Sequence, residues 1–112
     1  MGVSFLELIP SKYAENVQTT QYTASNCRTY IDTFVATNNN AANQSISVHL
    51  IQSGGSAGNN NLIVNLRQIA PGESYTFPEL VGQILADGSI ISTYATAASA
   101  ITIRCSGREI TT

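Results

Sequence analysis

His49 is the only histidine in the chain. A lone histidine does general acid–base work only beside a partner at hydrogen-bond distance and a group that orients it. It falls on the polar side of an alternating stretch, Ser45 to Ile51, so it is expected at the surface or at an interface. The carboxylates are Glu7, Glu15, Asp32, Glu73, Glu79, Asp87 and Glu109, and none stands two or four residues from another. Glycoside hydrolysis needs a facing pair. Cys27 and Cys105 have no second cysteine close by, so the spacing of a zinc-ligand pair is missing. They read as buried free thiols acting as small hydrophobes; the alternative is a disulfide between the second strand and the last, in an oxidising setting. Gly54-Gly55-Ser56-Ala57-Gly58 is glycine-rich, but no Lys-Ser/Thr pair follows it and no helix starts there. It reads as a hairpin tip rather than a phosphate cradle. On these residues no catalytic site, no cofactor and no metal are expected.

The surface that must surround such residues is unusual. Charged residues make up 11% of the chain, five basic and seven acidic, where about 25% is common. Charge is the usual means of keeping a soluble surface from sticking to others. Here Ser, Thr, Asn and Gln carry the polar load, which suits a chain packed against neighbours. Lys12, Arg28, Arg67, Arg104 and Arg108 are scattered singly and the net charge is −2. Nucleic acid would demand a cluster of cations, so it is not an expected partner. Met1 to Pro10 lacks the charged flank and the length of a secretory leader. No run reaches the roughly eighteen apolar residues of a membrane span. Synthesis in a cytoplasm, with no membrane partner, is therefore expected.

The elements that position these residues are strands. Thr19 to Ala24 is rich in Thr and Tyr, which suit a pleated surface, and Ser25-Asn26 supplies a turn. Cys27 to Thr37 breaks strict alternation, as a bulged or doubly buried strand does. The tract Asn38 to Asn43 is a loop by composition. Ser45 to Ile51 places Ile46, Val48 and Leu50 on one face, and Leu62 to Ile69 does the same with Leu62, Val64 and Leu66. Ala70-Pro71-Gly72-Glu73 fits a type II turn, and Ser74 to Phe77 is a short strand. Pro78 opens the one helix candidate, Pro78 to Leu85, with Leu80, Val81, Ile84 and Leu85 on one face. Asp87-Gly88 is a turn. Ser89 to Thr96 and Ala100 to Ser106 are strands, Ser106-Gly107 a turn, and Arg108 to Thr112 a closing strand.

About seven or eight strands with Gly, Pro and Asn turns predict an all-β fold. We expect a two-sheet antiparallel β-sandwich or jelly roll with one short helix and an N-terminal arm. Its core is expected to hold Ile46, Val48, Leu50, Leu62, Val64, Leu66, Ile101 and Ile103. Residues 1–17 form the arm or an edge strand, and residues 18–112 a single sandwich domain. Phe5, Leu6, Leu8 and Ile9 precede the sandwich pattern and are too apolar to stay in water. They are the candidate interface, where a homo-oligomer or a particle contact would cover them. A chain lacking residues 1–10 should then stay folded and lose that contact.

Three stretches resemble small virion proteins of tailed bacteriophages: Val48 to Gly58, Ile69 to Tyr75, and Pro78 to Gly82. The ending Ala97 to Thr111 fits the same group, and the likeness covers about residues 19–111. The resemblance implies a non-enzymatic structural protein of the virion. A capsid decoration (cement) protein that stabilises the head is favoured, with the major capsid protein as its partner. A trimer is preferred, because phage decorations often sit at three-fold positions. The alternatives are a neck, tail or fibre-associated component, or a module that binds a host surface or glycan.

Overall fold

The computed structural model describes residues 2–111. Met1 of the expected arm and Thr112 of the expected closing strand lie outside the described residues. The described residues form nine strands: β1 Gly2–Tyr13, β2 Thr19–Thr23, β3 Arg28–Asn38, β4 Gln44–Ile51, β5 Leu62–Ile69, β6 Ser74–Tyr75, β7 Ile84–Leu85, β8 Ile90–Ala95 and β9 Ile101–Thr111. One sheet has the order β1-β9-β3-β6, with β7 also on β3, and the other has the order β2-β8-β4-β5. Every pairing is antiparallel. The pairs β1·β9, β2·β8, β3·β6 or β7, and β4·β5 are those of one long hairpin rolled up. The pairs β9·β3 and β8·β4 close the roll. This strand order is that of a jelly roll, a five-stranded and a four-stranded layer enclosing one core. The accessible surface, 5808 Å², is near the roughly 5,900 Å² of a folded monomer of this mass, so the core is complete within one chain.

Period-2 alternation placed most of the eight expected core residues, which are a part of that core. Ile46, Val48, Val64, Ile101 and Ile103 are buried, and Leu50 and Leu62 are half-buried. Leu66 is the exception at 49% exposure. The register between β4 and β5 shifts between Ile46 and Val48, and Leu66 takes φ +47°. This bulge turns the side chain out, and the displaced Leu66 N–H donates to Ser47 Oγ at 2.8 Å. An inserted residue reverses the faces of all that follows it on a strand.

Two expected elements are different in kind. Pro78 to Leu85 is not a helix. Leu80 N–H bonds to Phe77 O and Gln83 N–H to Leu80 O, two successive turns, with Gly82 at φ +87° in the second. The segment then bonds across to β3 through Gly82 N–H to Ile31 O and Ile31 N–H to Gln83 O. Leu80 and Leu85 are buried while Val81 and Ile84 are exposed. Apolar spacing that suits one helix face also suits a turn that drops two side chains inward, and two helical turns hold poorly alone.

Ser106-Gly107 is not a turn either, since β9 runs straight through it. On one side of Gly107, β3 carries an extra residue, Asp32, between the pairs Ile31↔Gly107 and Thr33↔Ser106. On the other side, β1 carries an extra Leu8 between Glu7↔Ser106 and Ile9↔Cys105. A Cβ at Gly107 would overlap the Tyr30 carbonyl oxygen and lie 2.7 Å from Leu8 Cδ1. The glycine is there so that two bulged neighbours can close in on it.

The asparagine tract also begins inside structure. Asn38 ends β3 and is fully buried. Its amide donates to Ala42 O (2.9 Å) and Ile69 O (2.8 Å), and its Oδ1 accepts from Asn40 N–H (2.8 Å). It ties β3, the following loop and the end of β5 together, with its hydrogen-bonding capacity used on backbone groups. The turn after β5 is as expected: Gly72 has φ +78°, and Glu73 N–H donates to Ala70 O at 3.0 Å.

Residues 2–13 form a full edge strand of the first sheet rather than a detached arm. Leu8 and Ile9 are buried in the chain's own core, Leu6 is half-buried and Phe5 stands out in solvent. Each buried side chain contributes about 1.5–3 kcal/mol. Removing residues 1–10 would take two of them away with most of a strand, so the expectation that the truncated chain stays folded is withdrawn.

Candidate interaction surface

The outer face of the first sheet carries a row of four side chains, one from each of four strands. Phe5 on β1 lies opposite Arg108 on β9, Arg108 opposite Tyr30 on β3, and Tyr30 opposite Ile84 on β7. Directly opposite residues share a face. The guanidinium carbon of Arg108 sits 4.8 Å from the Tyr30 ring centre and 5.8 Å from that of Phe5, within cation–π range of both. Phe5 is 77% exposed and Ile84 59%. Val3, two residues from Phe5 and on the same face, is exposed as well.

Asp32 fixes the cation at the centre of the row. It is the extra residue of the β3 bulge, and bulges re-aim side chains. Arg108 Nε donates to Asp32 Oδ2 (3.1 Å) and Nη2 to Oδ1 (2.9 Å), a two-point pairing. The pair is half-exposed, so its direct worth to stability is small. Its effect is to hold the guanidinium between two rings. One row further along, Glu7 and Arg104 pair at 2.6 Å. The result is an aromatic and aliphatic patch around a pre-positioned arginine, with charges at its border. Aromatic residues and arginine are enriched in protein–protein contacts.

Of the four interface residues expected from the sequence, the structure brings only Phe5 to this surface. Leu8 and Ile9 are used by the core, and Leu6 lies half-buried against it. Tyr30, Ile84 and Arg108 were missed. They are far apart in the chain, and only the order β1-β9-β3-β7 aligns them. The exposed apolar character of the first segment was the one local signal.

His49 lies elsewhere and is not at the surface. It is 9% exposed, on the outer face of the second sheet, directly opposite Ser92. The Gln18 side chain, from the segment between β1 and β2, covers it. Gln18 Nε2 donates to Ser92 Oγ (2.7 Å) and reaches His49 Nδ1 at 3.3 Å, and Ser92 Oγ–H donates to Thr19 O (3.1 Å). The serine proton is therefore held by a backbone carbonyl, and the amide stands at Nδ1 of the ring. A histidine facing a serine is here a packed polar joint between strands.

Burial lowers the His49 pKa below its ordinary 6.5. The folded state then binds that proton less readily than the unfolded chain does. The linked stability is present above the unfolded value and is lost as pH falls through the folded one. Glu15, kept low first by the Gln21 hydrogen bond, adds the same sign at lower pH. We expect the urea midpoint to fall between about pH 7 and pH 5, and His49→Gln to flatten that fall. Equal pH slopes for the two proteins would count against the assignment.

Cys27 and Cys105 are free thiols, both buried. Cys105 lies opposite Phe34 of β3, while Cys27 immediately precedes Arg28, which lies opposite Ile110. They are separated by about seven strand positions, roughly 20 Å, beyond the ~7 Å reach of a disulfide. Burial pushes the Cys105 thiol up to about 12, with Asp32 adding to it. Inside the sandwich at the far end, the Tyr22 hydroxyl bonds to Glu109 and, at 2.7 Å, to Thr29 Oγ1. Desolvation, then that carboxylate, pushes the phenol well above its ordinary value.

The hollows offer little convergence. One, about 370 Å³, is lined by Asn26, Cys27, Arg28, Asp87 and Ile110, and Asp87 is bonded to the Asn26 N–H at 2.8 Å. A second, about 240 Å³, lies beside the glycine-rich loop between Leu50 and Asn61. There the Asn61 side chain is already bonded to Gly58 N–H and Ser56 O. Among the described residues, no three His, Cys, Asp or Glu converge where a metal ion could sit, and no helix is long and apolar enough to cross a membrane. Comparison with protein-family models, with curated proteins and with solved structures finds no match for this chain.

Proposed function

We propose that this chain is a non-enzymatic structural protein of a tailed-bacteriophage virion, and that it decorates the head by docking on the major capsid protein. The observation that carries this reading is the row Phe5–Arg108–Tyr30–Ile84. It is a solvent-facing aromatic and aliphatic strip around an arginine that Asp32 holds in place, on a chain whose own core is already complete. A single chain gains nothing from leaving such side chains in water, and docking covers them. The sparse charge of the surface and the resemblance to small virion proteins support the same reading. Jelly rolls serve in viral shells and in lectins alike, so the fold by itself does not choose between assembly and glycan binding. The face favours assembly: the cation between its rings is occupied by a carboxylate, and the side chains beside it that stand furthest into solvent, Phe5 and Ile84, are apolar.

Ile84 supplies the test, because it is exposed and belongs to a strand of two residues. Ile84→Asp should leave the folded stability within about 0.5 kcal/mol. Co-sedimentation with empty heads should weaken at least tenfold, since a charge would be buried at the contact. Undiminished sedimentation of the variant, or parent protein that sediments with tails or binds host cells while ignoring heads, would refute the head-decoration reading.

A further inference from the structure

The four sheet edges are not alike. β2 is five residues long and has a register shift at Gln21. β5 carries two register shifts and the left-handed Leu66. β6 and β7 are two residues each. Short strands and bulges are the ordinary ways of keeping an edge from pairing with another chain. β1 differs. Among the described residues it pairs only with β9. Its bulge at Leu8, the shift between Ile9 and Lys12, and Pro10 all fall in its second half. From Gly2 to Glu7 its register is unbroken and its other edge is open. That stretch contains one charge, at its end, and two exposed apolar side chains, Val3 and Phe5.

We infer that the free edge of β1 over Gly2–Glu7 is a strand-addition site, and that its occupant is the same segment of a second copy of this chain, antiparallel. The other three edges are blunted, so the best acceptor for this edge is the edge itself. Antiparallel pairing about a two-fold axis normal to the sheet keeps the outer faces of both copies on one side. It therefore joins odd residues to odd and even to even. With Ser4 opposite Ser4, Val3 of each copy falls opposite Phe5 of the other. Both exposed apolar side chains then gain an aromatic–β-branched cross-strand partner, a favourable pair. Glu7 never meets its like, whereas a parallel pairing would stack the two carboxylates. The dimer closes after one step, because each copy has one such edge. Five paired residues in each copy, Gly2 to Leu6, bury less than the roughly 1,200 Å² of a stable complex, so the dimer is weak alone and strengthens when both copies also dock on a common surface.

The inference rests on the assembly reading for self-association alone, and the measurements separate the two. Sedimentation equilibrium of the full chain should show a monomer–dimer equilibrium, with no trimer, above the 11.9 kDa of one chain. In hydrogen exchange, alternate amides of Val3–Glu7, open in the monomer, should become protected as the dimer fills. Ser4 is exposed, and Ser4→Lys should weaken dimerisation about fivefold by setting two cations opposite one another. Ser4→Glu should do the same, and mixing the two variants should restore dimer at or above the parent level. A chain monomeric to millimolar concentration, a trimer, a dimer whose alternate β1 amides stay open, or two variants that fail to complement would each overturn the inference. A monomer that still coats heads would leave the decoration reading standing, and a dimer that ignores heads would do the reverse.

Discussion

Phe77→Ala should cost about 4 kcal/mol of folding free energy, among the largest effects of a single truncation in this chain. Phe77 is fully buried although it lies outside any strand. Its ring meets Phe34 edge-on at 4.9 Å between centres and Tyr75 edge-on at 4.7 Å. Arg67 covers the other aromatic of that stack, with its guanidinium carbon 4.0 Å from the Tyr75 ring centre. Removing the middle ring leaves a cavity and breaks both aromatic contacts, each worth about 0.5–1.5 kcal/mol beyond area. Domains of this size are stable by about 5–15 kcal/mol, so the variant should sit near the edge of folding at 37 °C. Phe77→Leu should recover roughly half the loss. Urea titration of the three proteins is the check, and a loss below about 1 kcal/mol for the alanine variant would show that the ring is not part of the core.

Gly107→Ala should cost about 3 kcal/mol, at the upper end for overpacking, and lower the melting temperature on the order of 12 °C. The added methyl has no room between the Tyr30 carbonyl and Leu8. A flexible side chain can turn away, but a backbone carbonyl held in a sheet cannot. Pairing the change with Leu8→Ala should therefore give no rescue, because it clears only the softer of the two contacts. A thermal midpoint within a few degrees of the parent would mean that the two bulges do not close on β9 as described.

These two residues also show what a sequence can and cannot say. Alternation exposed the faces of Ile46 to Leu50 and of Ile101 to Ile103 because each stretch carries no extra residue of its own and keeps an unbroken register with one neighbour, β8 and β3 respectively. The reading failed where the cause lay in a distant segment. Gly107 resembled a turn, since nothing local tells a glycine that bends the chain from one that admits a neighbour. Pro78 to Leu85 matched a helix because the spacing of its apolar residues is silent about Gly82 and about bonds to Ile31. His49 occupied a polar position on its strand, yet Gln18 comes from another part of the chain to cover it. Leu66 had the right parity until a bulge reversed it. The interaction row is the extreme case, since Phe5, Tyr30, Ile84 and Arg108 become neighbours only through strand order. What was legible is that the first segment carries more apolar surface than the core consumes. Of its residues, Phe5 remains outside.

The central claim is that this jelly roll is a building part that works by covering its outer sheet face against a virion shell. A density map of whole particles carrying the chain tests that most directly. The account predicts copies of the sandwich repeated over the head lattice, with Phe5, Tyr30, Ile84 and Arg108 against the major capsid protein. Density at the neck, tail or fibres, or a head-bound copy with that row facing solvent, would contradict it.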